Sequence, residues 1–120
     1  MAEYVYLNGQ VVEADQAGVS VFDTGLLHGA SIFTTMLAHN GRVFRLDRHI
    51  RRLLAMGDRL SMRHGQDEQG LAAAVEKVLT ANRLRQGRVR ITLTPGGVGL
   101  QPQPTTIVTA SALEEYPRWW

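Results

Sequence analysis

Two Asn-Gly pairs constrain this chain more than any other feature. Tyr4-Val5-Tyr6-Leu7 precedes Asn8-Gly9 and Gln10-Val11-Val12 follows it; Met36-Leu37-Ala38-His39 precedes Asn40-Gly41 and Arg42-Val43-Phe44 follows it. Asn followed by Gly tolerates two successive left-handed residues, which is what a type I′ hairpin turn between strands demands. Two hairpins this early commit the chain to an antiparallel sheet.

The rest reads as elements that cover and complete that sheet. Asp47 stands where a helix N-cap should, and Leu46, Ile50, Leu53, Leu54, Gly57 and Leu60 recur at helical spacing, predicting a helix from about Arg48 to Leu60. Leu71, Val75, Val78 and Leu79 mark a second, from about Asp67 to Arg83. Arg88 to Leu93 alternates as a half-buried strand does and breaks at Pro95-Gly96-Gly97, and Thr105 to Ala112 is the last strand. The order ββ, loop, ββ, αα, ββ predicts an α+β domain, an antiparallel sheet with two helices packed on one side.

With 120 residues the chain fits one compact domain. Glu114-Glu115-Tyr116-Pro117 reads as a linker, and Arg118-Trp119-Trp120 leaves two large aromatics that need something to pack on. A second domain or subunit is therefore expected to follow or dock there.

The absence of cysteine removes zinc ribbons, thiol catalysis and iron–sulfur ligation. His28, His39, His49 and His64 show no i, i+4 pairing, so no metal site is expected. Gly97-Val98-Gly99 lacks the third glycine of a dinucleotide fingerprint and follows no βα unit. No apolar run approaches the roughly 20 residues of a membrane span, and a cytoplasmic protein is the simplest expectation.

Charge is more informative. Of the 13 basic residues only Lys77 is lysine, and Arg42 to Arg63 holds seven arginines against Asp47 and Asp58. Arg48, Arg52 and Arg59 share a flank of the first predicted helix. A solvated helix face explains that spacing; the functional alternative is a guanidinium fork for a phosphate or carboxylate. Nucleic acid is disfavoured, because no aromatics interleave the arginines and the net charge is only +2.

Five segments in register then carry a family likeness: Tyr6-Leu7-Asn8-Gly9, Val21-Phe22-Asp23-Thr24-Gly25, His28-Gly29-Ala30-Ser31-Ile32-Phe33, Asn40-Gly41-Arg42-Val43-Phe44-Arg45-Leu46 and His49-Ile50-Arg51-Arg52-Leu53. Together they resemble the small N-terminal domain of the class IV aminotransferases. These are fold-type IV pyridoxal-phosphate enzymes that include branched-chain and D-amino-acid aminotransferases and aminodeoxychorismate lyase. The likeness implies an N-terminal domain over 1–113, the start of an interdomain linker over 114–120, and a second domain, absent from this chain, that bears the Schiff-base lysine. Lys77, in mid-helix beside Glu76, does not match that lysine, so the chain alone is expected to be inactive.

The likeness also implies roles. Arg52 matches the arginine that binds the cofactor phosphate. Phe33 matches the aromatic lining the substrate pocket, although on residue type alone it could be core. Arg90, in a segment like the strand and turn that bring an arginine to the substrate's carboxylate, is a substrate residue, with a cross-strand ion pair as its structural alternative. Thr34, where many of these aminotransferases carry glutamate, is placed with the substrate residues, and Phe33-Thr34-Thr35 looks more like the lyases. Pro95 falls where the D-amino-acid enzymes carry a carboxylate-binding arginine. The implied activity is transfer of an amino group between an amino acid, branched-chain-like, and a 2-oxo acid, in a homodimer. The alternatives are an aminodeoxychorismate lyase-like enzyme, a non-catalytic anion- or RNA-binding module using Arg45, Arg48, Arg52, Arg63 and Arg88, and an oligomerising remnant of the fold.

Overall fold

The computed structural model describes residues 3–97 and 103–112. Six strands form one sheet in the order β2-β1-β6-β5-β3-β4: β1 (Tyr4–Leu7), β2 (Gln10–Glu13), β3 (Ile32–His39), β4 (Arg42–Val43), β5 (Gly87–Thr94) and β6 (Thr105–Ser111). Every pairing is antiparallel. Both Asn-Gly pairs make the expected turns, with positive φ at Asn8, Gly9, Asn40 and Gly41. The predicted α+β architecture is the observed one. The sequence-level order omits a 3-10 turn at Ala14–Gln16 and a one-turn helix, α1 (Thr24–Leu27).

Two longer helices, α2 (Leu46–Arg59) and α3 (Glu68–Ala81), pack against the sheet. Ile50 and Leu53 of α2 and Leu71, Ala74, Val75 and Val78 of α3 join Met36, Val89, Ile91 and Val108 of the strands in one buried core. Removing this apolar surface from water is the main drive for holding helices to sheet.

Helix α2 begins earlier than its periodicity suggests, and Asp47 is not its N-cap. The chain turns sharply after β4 through Arg45, whose left-handed φ of 56° places it at the cap without a side-chain hydrogen bond. Asp47 falls in the first turn, where a carboxylate favours the helix dipole, and reaches Arg51 at 3.7 Å. Leu60 also leaves the apolar stripe: Ser61, with φ 53°, turns the chain away and Leu60 is 62% exposed. Helix α3 keeps its expected start, with the Asp67 carboxylate accepting from the Gly70 amide.

Two asparagines fasten the first hairpin. The Asn82 side chain, at the end of α3, accepts from the Tyr4 amide at 2.8 Å and donates to the Tyr4 carbonyl at 2.9 Å. Asn8 accepts from the Thr106 amide at 2.7 Å, tying the turn to β6. Among the described residues no helix is long and apolar enough to cross a membrane. The linker reading at 114–120, the two tryptophans, Val98 and Gly99 lie outside the described residues.

Candidate functional site

Strand β3 sorts the candidate residues by its two-residue period. Ile32, Met36 and Ala38 are buried, while Phe33, Thr35 and Leu37 are exposed on the other face. Phe33 is 51% exposed, so it is not a core residue. In the antiparallel register Phe33 faces Thr92 and Thr35 faces Arg90. The diagonal brings the Arg90 guanidinium over the Phe33 ring, 3.9 Å from its centroid, and Arg90 Nε donates to Thr92 Oγ1 at 3.3 Å. Arg90 therefore makes a cation–π contact in place of a cross-strand ion pair.

Thr34 takes the other direction, toward α2. Its hydroxyl lies 3.0 Å from His49 Nδ1, and the same nitrogen is 3.4 Å from Arg52 Nη2. Arginine can only donate, so Nδ1 must present its lone pair and the ring proton belongs on Nε2. His49 thus links β3 to Arg52. The structure brings Phe33 and Arg90 together, brings Thr34 and Arg52 together through His49, and separates the two groups by strand alternation. His49 is the functional candidate that sequence reasoning missed: its place in the motif was visible, its partner 15 positions away was not.

Arg52 is exposed and, among the described residues, has no carboxylate within ion-pair distance. With one nitrogen steadied by His49, its remaining donors suit a phosphate. Arg51, by contrast, is engaged by Glu68 at 3.1 Å and by Asp47; hydrogen bonding and charge from Glu68, then Asp47, raise its pKa. The residues present fit the phosphate of a cofactor and one wall of a substrate site. Lys77, the one lysine of the sequence, is exposed on α3. A cleft of about 460 Å³ opens where β3 begins, between Gly29-Ala30-Ser31, the chain after α2 including Arg63, and Pro95.

A buried carboxylate holds the loop that leads into β3. Asp23 caps α1 and is 3% exposed. Its Oδ2 accepts from Thr105 Oγ1 at 2.6 Å and Thr94 Oγ1 at 3.0 Å, and its Oδ1 accepts from the Gly25 amide at 2.7 Å. The Thr24 amide and hydroxyl both donate to the Gly96 carbonyl, at 2.9 and 2.8 Å. The loop before β3 and the turn after β5 are thereby one joined unit. Burial pushes the Asp23 pKa up, but donation from Thr105, Thr94, Gly25 and Leu26 outweighs it and leaves the group below the ordinary aspartate value.

The sign of the pH effect follows. A depressed folded-state pKa adds stability that is fully present above the unfolded value, about 3.9, and is lost as pH falls through the folded one. Acid titration of folding is expected to be steeper for the natural chain than for Asp23→Asn in that window; equal slopes would remove Asp23 as the cause.

The chain as a whole is similar to known proteins. The sequence model of a family described as amino-transferase class IV matches residues 31–120. A Methanocaldococcus jannaschii protein with a branched-chain-amino-acid aminotransferase designation is 37% identical over 101 residues, covering 82% of this chain and 35% of that protein. The aminodeoxychorismate lyase of Bacillus subtilis is 32% identical over 89 residues, covering 74% of this chain and 30% of the lyase. The crystal structure of the Escherichia coli branched-chain amino acid aminotransferase superposes with a TM-score of 0.85 at 25% identity, over 97% of this chain and 41% of that one. The chain therefore spans about a third of the length of the curated relatives it matches.

Proposed function

The chain belongs to the class IV aminotransferase family, and from that premise we propose that it forms the N-terminal domain, residues 1–113, of a cytoplasmic pyridoxal-phosphate enzyme that moves an amino group between a branched-chain-like amino acid and a 2-oxo acid. Residues 114–120 begin a linker to a second domain that supplies the cofactor-anchoring lysine. The observation that carries the reading is the exposed Arg52 guanidinium, held by His49 and free of any described carboxylate.

When bound, pyridoxal phosphate supplies an electron sink for bonds broken at the amino acid's α-carbon. This chain's residues bind and orient. Arg52 holds the phosphate with paired N–H donors. Thr34 fixes the His49 ring, and through it the direction of Arg52. Phe33 forms one wall of the substrate cavity, and Arg90, lying on that ring, presents a cation to the substrate's acidic group. The exposed Val21, Phe22, Leu26 and Leu27 in the segment before β3 are apolar surface of the kind that interfaces cover, which supports a homodimer.

Arg52→Ala in the complete protein is expected to weaken cofactor binding roughly tenfold to a hundredfold, the loss of one or two hydrogen bonds to a charged group. Arg59→Ala, on the same helix, should leave binding near its natural value. Cofactor titration followed by absorbance reads both, and unchanged affinity in Arg52→Ala would overturn the assignment. A second reading, an aminodeoxychorismate lyase-like enzyme, is favoured by Thr34, whose short hydroxyl replaces glutamate. Release of pyruvate from aminodeoxychorismate, without consumption of a 2-oxo acid acceptor, would select it.

A further inference from the structure

A second cavity lies away from this site and takes no part in that proposal. It is an open groove of about 960 Å³ between α3 and the β3–β4 turn. Phe33 lies near one end of β3 and the turn at the other, and Phe33 to His39 spans roughly 20 Å at the rise of a strand. The groove floor is aliphatic, made by Val43, Leu46, Ala72, Val75, Leu79 and Leu84. These side chains continue the core outward, since Val75 and Leu79 are buried and the others are partly buried against it.

Its rim is cationic. Arg42 comes from β4, and Arg83 and Arg85 from the segment after α3. Among the described residues Arg42 and Arg83 make no side-chain hydrogen bond or ion pair, and Arg85 makes only one long bond, 3.3 Å, to the Asn40 carbonyl. Glu76, the carboxylate among the described lining residues, pairs with none of them. Arg83 also holds a left-handed φ of 53° just past the α3 cap, where glycine would be free of strain. Backbone contacts keep the rim in place: the Gly41 amide donates to the Arg85 carbonyl at 2.9 Å, and the Arg83 amide donates to Thr80 at 3.0 Å.

Unpaired guanidinium groups above an aliphatic trough match a ligand with one acidic head and an apolar body. A phosphate or sugar would leave the floor uncovered, an alcohol would leave the arginines unmatched, and a second acidic group would meet Glu76. The size lies within the usual range of small-molecule sites. The geometry points to a second binding site, in the groove between α3 and β4, for a medium-chain aliphatic monocarboxylate, its head on Arg42 and Arg83 and its chain along Leu46, Ala72 and Leu79.

Octanoate is the probe, followed by calorimetric titration and by amide chemical shifts of the protein. Saturable binding is expected, with shifts at Ala72, Ala73 and Thr80. Octan-1-ol, without the charge, and acetate, without the chain, should each bind at least about tenfold more weakly. Arg42→Gln combined with Arg83→Gly should lower octanoate affinity by at least about tenfold without lowering the unfolding midpoint, and Ala72→Phe should block the trough. Equal binding of octanol, survival of octanoate binding in the double variant, or no binding at all would overturn the inference. So would loss of binding in Arg90→Ala, because the carboxylate would then occupy the Phe33–Arg90 face; that result would leave the role of Arg52 untouched.

Discussion

Replacing Asp23 by alanine is expected to destabilise the fold by about 3 kcal/mol, because it strands buried partners rather than removing one contact. The hydroxyls of Thr94 and Thr105 and the Gly25 amide all donate to this carboxylate, and Thr94 and Thr105 are themselves buried. For a domain of this size the thermal midpoint should fall by roughly 12 °C. Asp23→Asn keeps the shape and one acceptor oxygen, and the threonine hydroxyls can rotate to accept from its amide, so it should lose less than half as much. Denaturant titration of the three proteins decides the matter. If alanine and asparagine cost the same, the network's charge and geometry are not what stabilises the loop.

Gly96→Val is the second large effect, and it strikes the other half of the same joint. Gly96 is buried with φ +88°, a conformation that L residues rarely adopt, and a Cβ there would be driven onto the backbone carbonyl of Gln103. Backbone cannot swing aside as a side chain tip can. The turn must open, and the two bonds from Thr24 to the Gly96 carbonyl open with it. A loss of about 3 kcal/mol or more is expected, from left-handed strain and the broken bonds together. Gly9 is the control: its φ is +99° but nothing lies within 4 Å of a Cβ, so Gly9→Ala should cost only about 1 kcal/mol. Equal costs at the two positions would mean that crowding at Gln103 is relieved without opening the turn. Because the Thr94 hydroxyl donates to Asp23 and accepts from the Gly96 amide, Asp23→Asn with Gly96→Ala should not be additive.

The parts of this fold that could be read in advance are those written in neighbouring residues. Asn-Gly turns, the alternation of Arg88 to Leu93 and the leucine spacing of α3 each record local geometry and appear where expected, while the spacing of α2 holds up to Leu53 and fails at Leu60. Asp47 is a good cap residue in isolation, but the tight exit from β4 puts Arg45 at the cap of α2. Helix α1 has one turn, too short for any periodicity. The Asp23 network joins residues 71 and 82 positions apart, and the contact of Arg90 with Phe33 depends on strand register. Neither leaves a local mark. The candidate site was legible as single residues through the family likeness, but its division between the two faces of β3 and the mediation by His49 depend on partners distant in sequence.

The sheet order β2-β1-β6-β5-β3-β4 also has a consequence for synthesis on the ribosome. The first hairpin meets the rest of the sheet only through β6, with Leu7 opposite Ile107. A lone two-stranded hairpin is marginal in water, so until β6 has cleared the exit tunnel β1 and β2 lack their sheet neighbour and have only α3, through Asn82, to hold them. At about 5–20 residues per second, that leaves a delay of several seconds in which Tyr4–Glu13 is an open edge available to other nascent chains. Moving β1 and β2 behind β6 by circular permutation would shorten the wait while keeping the same strand order in the sheet.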